Sequence, residues 1–93
     1  LAYFFIPLLV AYDLHDIGDQ IGAEAGRSIA LSFVQKIKIR CRSLNYLPTR
    51  GAQYRDEYRR LFEPPYQIIY RVEGSGDDVV VYIVTVRHMS PKL

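Results

Sequence analysis

Tyr66-Gln67-Ile68-Ile69-Tyr70-Arg71-Val72, then Gly74-Ser75-Gly76-Asp77, then Val79-Val80-Val81-Tyr82-Ile83-Val84-Thr85-Val86 is the stretch that decides the fold. Its first segment alternates Tyr66, Ile68, Tyr70 and Val72 with Gln67 and Arg71, the period of two expected of a strand. Glycine, serine and aspartate in the middle supply a turn. The last segment is an almost unbroken β-branched run, which predicts a central strand covered on much of both faces. The stretch therefore reads as an antiparallel hairpin from Tyr66 to His88.

Working back toward the N-terminus, Pro64 and Pro65 interrupt the chain, since neither can donate to a sheet ladder. Tyr54 to Phe62 mixes Tyr, Leu and Phe with charges and predicts an edge strand. Pro48 and Gly51 mark a loop. Before it, Ala30, Phe33, Val34, Ile37, Cys41 and Leu44 recur at helical spacing, with Lys36, Lys38, Arg40 and Arg42 off the stripe. Gly22 and Gly26 bracket a short break. Val10, Leu14, Ile17 and Ile21 form an earlier helical stripe, with Asp13, Asp16 and Asp19 facing water and Pro7 in the first turn. Tyr3 to Ile6 reads as a strand. The order is β-α-α-β-β-β, in the α+β class. A helical hairpin packed on one face of a small twisted, mostly antiparallel sheet satisfies both apolar stripes.

The 93 residues fit one domain, 1–93, with a modest core that partner binding would supplement. The net charge of +2 conceals an asymmetry: residues 1–34 sum to −3 and residues 35–60 to +6. A basic middle suits nucleic acid or an acidic protein. Cys41 is the one cysteine, so an internal disulfide or a cysteine-based metal site is excluded, and its place on the helical stripe makes it a buried thiol. The apolar start, Leu1 to Val10, is too short to span a bilayer and lacks a basic leader, so a cytoplasmic protein is expected. His15 and Asp19 are four apart but have no third ligand in view, and Asp77-Asp78 has no calcium-loop spacing around it. No metal or cofactor is expected.

Several motifs together resemble the ParE/RelE toxins of bacterial toxin–antitoxin pairs. They are the strand–Pro–helix opening with Asp13-Leu14-His15-Asp16-Ile17; the long helix ending in Leu44, Pro48 and Gly51; the strand Tyr66 to Val72; and the closing Val86-Arg87-His88. The resemblance implies two helices against a twisted antiparallel sheet and an antitoxin whose segment wraps the toxin. It leaves two activities: messenger RNA cleavage on the ribosome, as in RelE-like members, or poisoning of DNA gyrase by protein contact, as in ParE-like members. RelE-like nucleases place an Arg directly after the Tyr or His that opens the third strand. That position here is Gln67, and a neutral amide cannot stabilise the charge of a phosphorane as Arg does.

The expectation is thus a ParE-like toxin of a plasmid-stabilisation system that inhibits growth through DNA gyrase. A ParD-like antitoxin would neutralise it, in a complex that can reach higher order. No direct, specific DNA binding is expected of the toxin alone. The alternative is a RelE-like ribosome-dependent endoribonuclease, for which Arg71 and His88 are the catalytic candidates. The partner-binding candidates are Lys36, Lys38, Arg40, Arg42, Tyr54, Tyr58, Arg59, Arg60 and Arg87, because basic residues recruit acidic partners and Tyr and Arg anchor interfaces.

Overall fold

A computed structural model describes the backbone of residues 3–5 and 8–89, with side chains from Asp13 onward. Pro7 and the side chain of Val10 lie outside the described residues. Strand β1 (Tyr3–Phe5) leads to helix α1 (Leu8–Ala25) and helix α2 (Arg27–Ser43). Strands β2 (Ala52–Gln53), β3 (Tyr58–Glu63), β4 (Tyr66–Glu73) and β5 (Val80–His88) follow. They form one sheet in the order β1-β5-β4-β3-β2, antiparallel except for β1, which runs parallel to β5.

Gly26 joins the two helices. Its N–H closes α1 on the Gly22 carbonyl at 3.0 Å, and its carbonyl accepts the Ala30 amide at 3.1 Å to open α2. Its φ of 98° lies where side chains are disfavoured. Gly22, expected to border the break, is inside α1 instead: its missing Cβ would lie 3.8 Å from that of Ala30, an ordinary contact distance, so the helical joint has room for a methyl group there.

The core lies between the helices and one sheet face. Leu14 and Ile17 of α1 and Ile37, Cys41 and Leu44 in and after α2 meet Leu61, Tyr66, Ile68, Tyr70, Val81, Ile83 and Val86 of the sheet. Side chains as fully buried as Ile37, Leu44 and Ile68 each contribute roughly 1.5–3 kcal/mol by leaving water.

Two strand expectations change. The segment from Tyr54 to Phe62 is not one edge strand. Residues 54–57 form the turn of a β2–β3 hairpin, in which the Tyr54 amide donates to the Tyr58 carbonyl at 2.9 Å. The turn includes Asp56 at φ 48°, a left-handed conformation that a short polar residue tolerates. In β5, Ile69 pairs with Thr85 while Tyr70 pairs with Ile83, so Val84 is an extra residue in a bulge. The bulge shifts the alternation, which allows Ile83 and Val86, three apart, both to be buried. Pro64 and Pro65, joined by a cis bond, form the two-residue turn between β3 and β4.

Candidate functional site

Because Leu61, Ile68 and Tyr70 point into the core, their alternating neighbours point the other way. Cross-strand pairing sets Arg60 opposite Ile69, Phe62 opposite Gln67, and Gln67 opposite Arg87. Among the described residues no helix covers this second sheet face, yet Gln67 is only 7% and Ile69 only 5% exposed. Long neighbouring side chains supply the cover.

Tyr54, carried in by the β2–β3 turn, is the centre of that layer. The Arg60 guanidinium stacks 4.9 Å from the Tyr54 ring centre and 5.2 Å from that of Phe62. Arg55 lies 5.3 Å from the Tyr54 ring. Arg87 Nη2 donates to the Tyr54 hydroxyl at 3.3 Å. Nearer the other end of the sheet, Arg71 stacks 4.8 Å from the ring of Tyr82 and pairs with Glu73 at 3.0 Å. Within this layer the buried atoms Arg60 Nε and Gln67 Oε1 have no hydrogen-bond partner among the described residues. Phe62 and Tyr82, to which the sequence pattern gave no role, are ring platforms for these guanidinium groups.

Arg59 belongs elsewhere. Its Nη1 donates to the carbonyls of Thr49 and Gly51 at 3.3 and 3.0 Å, tying down the loop after α2. Tyr58 is half-buried opposite Arg71. Tyr58 and Arg60, two apart on β3, share the open face, while Arg55, Arg60 and Arg87 gather on Tyr54.

The two catalytic candidates are held apart. His88 pairs with Tyr66 and Arg71 with Tyr82, five residues apart along β4, or roughly 16 Å at strand rise. They also face opposite sides. The His88 ring meets the edge of Tyr66 at 5.4 Å, and Tyr66 meets Phe33 of α2 at 5.5 Å, so His88 ends an aromatic row on the helix side. Burial, with the negative charge of Glu24, raises the Tyr66 phenol above its ordinary value. His15, the other histidine, pairs with Asp19 at 3.3 Å on the exposed side of α1. Among the described residues, no three His, Cys, Asp or Glu side chains are grouped to hold a metal ion.

The basic residues of α2 do not share one face. Spacings of two residues place Lys36 and Lys38 on different sides of a helix, and likewise Arg40 and Arg42. Arg40 is engaged with Glu63 of β3 at 3.4 Å. Lys38 borders a groove of about 810 Å³ between the helices. Leu14, Gly18 and Gly22 line it from α1, and Ala30, Leu31 and Val34 from α2. His15 and Asp19 edge one wall, Arg27 and Lys38 the other.

Over residues 8–92 the sequence matches the family model described as the ParE toxin of the type II toxin–antitoxin system, parDE. The chain belongs to the ParE toxin family. As a ParE-type toxin it is one member of a toxin–antitoxin system, and its partner is an antitoxin. Its fold is similar to that of a chain from the chromosomal ParDE system of P. aeruginosa, with a TM-score of 0.81, 23% identity, and 96% of this chain and 97% of that chain covered. It is also similar to a chain of the RelBE2 toxin–antitoxin complex from Mycobacterium tuberculosis, with TM-score 0.67, 17% identity, and 94% and 96% covered. A YoeB/ParE toxin from Agrobacterium tumefaciens gives TM-score 0.66 and 17% identity, with 95% and 99% covered. At these identities the structural likenesses show a shared fold. No match is found among curated proteins. Among the described residues, no helix of this ParE-family chain is long and apolar enough to cross a membrane.

Proposed function

We propose that this ParE-type toxin stops growth by binding DNA gyrase through protein–protein contact, in the cytoplasm, and that a ParD-like antitoxin neutralises it. The observation that carries this reading is the composition of the open sheet face. Gln67 is buried at its centre and both histidines lie away from it, so the arginines of this face have no neighbouring imidazole to move the protons that RNA cleavage requires. The groove between α1 and α2 offers the antitoxin an apolar seat, into which a helical or extended segment can insert hydrophobic anchors. Acidic residues of that segment would meet Arg27 and Lys38 at its rim, which makes association slower at high salt.

A supercoiling assay tests the proposal. The purified, antitoxin-free protein should inhibit gyrase, and adding the cognate antitoxin should restore supercoiling. Undisturbed supercoiling at toxin concentrations well above those of gyrase would overturn it, as would new messenger RNA ends appearing in translating extracts.

A further inference from the structure

The arginine layer around Tyr54 has a charge arrangement that core packing does not account for. Arg55, Arg60 and Arg87 converge on one phenol ring from the turn and from two strands. Among the described residues none of the three is ion-paired with a carboxylate, although Arg40 and Arg71 are. Like charges gathered so closely repel one another, and an anion between them removes the repulsion. The guanidinium of Arg60 lies against two rings, and a guanidinium held on rings can still donate its terminal N–H groups to an acceptor. Its buried Nε lacks a partner.

We propose that this Arg55–Arg60–Arg87 layer on Tyr54 binds the phosphodiester backbone of a single nucleic-acid strand, independently of sequence. An Arg fork donates two N–H groups at once to phosphate oxygens. A strand supplies a regularly repeated negative charge that suits several cations on a flat face. An acidic peptide would supply charge too, but peptide partners rely on apolar anchors seated in pockets. Here Ile69 is already covered by its neighbours, and the apolar groove is on the helices. The site goes beyond the gyrase reading and stands without it.

The probe is a short fluorescent oligothymidylate titrated with the purified toxin over a series of KCl concentrations. Three contacting cations predict a plot of log K against log salt with slope about −2. Arg87→Gln, at an exposed position, should weaken binding and flatten the slope by about 0.7, and Arg60→Gln should do the same. Tyr54→Leu keeps every charge but removes the platform, and should weaken binding severalfold. Lys36→Gln with Lys38→Gln should leave it unchanged. Absence of binding at low salt would overturn the proposal. So would equal weakening by the α2 pair, or polyglutamate binding as tightly as the oligonucleotide and displacing it. An unchanged melting temperature for Arg87→Gln shows that its loss of binding is not loss of fold.

Discussion

The backbone amide of Gly51 donates a hydrogen bond to the hydroxyl of Tyr70 at 2.9 Å, joining the loop after α2 to the middle of β4. Gly51 is buried, and Tyr70 is fully so. A Cβ on Gly51 would come within 2.5 Å of that hydroxyl and 2.9 Å of the Arg60 carbonyl. Gly51→Ala should cost about 1–3 kcal/mol through overpacking. Tyr70→Phe should cost about 1–2 kcal/mol, because a buried N–H loses its acceptor. Together they should cost less than their sum, since removing the hydroxyl makes room for the methyl. Urea unfolding of the four proteins measures this coupling; strict additivity would show that the backbone contact with Arg60 sets the penalty.

Alkaline pH should unfold the toxin through its buried acids. Burial pushes the Cys41 thiol from 9.0 up to about 12, outweighing the favourable charge of Arg42. Burial likewise raises the Tyr70 phenol, against the Gly51 hydrogen bond and the charges of Arg59 and Arg50. In both groups the folded chain holds its proton more tightly than the unfolded chain. The stabilisation from Cys41 is therefore complete below pH 9 and is lost as pH rises from 9 toward about 12, and that from Tyr70 is complete below pH 10 and is lost above it. Urea midpoints measured through this window should fall, and should fall less in Cys41→Ala. At neutral pH the native thiol should resist a disulfide reagent and react only on unfolding.

Gly22 and Gly26 should respond in opposite directions to alanine. Gly22 is helical and its Cβ would meet only the Cβ of Ala30, at ordinary contact distance, so Gly22→Ala should stabilise by up to about 1 kcal/mol. Gly26 has open space around it but a φ of 98°, so Gly26→Ala should destabilise by about 1 kcal/mol or more. Thermal melts distinguish the two; a shift of the same sign in both would show that packing, not backbone conformation, governs the helical joint.

His88→Ala should separate fold from activity. It removes the end of the Phe33–Tyr66–His88 row and should cost about 0.5–1.5 kcal/mol. Gyrase inhibition by the folded fraction should be unchanged. Lost inhibition at full stability would give His88 a direct role in the toxin's action.

The strands β4 and β5, both helices and the burial of Cys41 were legible because period and spacing report burial directly. The bulge at Val84 was not: in a continuous β-branched run no polar residue marks the phase, and only pairing with β4 reveals it. The β2–β3 turn was obscured because Tyr54, Arg55, Tyr58, Arg59 and Arg60 read equally well as an amphipathic edge. Lys36, Lys38, Arg40 and Arg42 were grouped by sign of charge, although spacings of two separate them around a helix. The Tyr54 layer joins residues 54, 55, 60 and 87, a juxtaposition set by tertiary folding. Of it, the local sequence showed only the abundance of Tyr and Arg.

Tyr3, Phe4 and Phe5 take their places beside Val80, Val81 and Tyr82, so the first strand of the sheet waits for the last. During synthesis β1 leaves the ribosome long before β5 exists, and the helices emerge with no strand pair to pack on. A toxin built this way cannot complete its sheet while most of its chain is still unmade. Its sheet closes only once β5 has been made, whatever the order in which the other elements emerge.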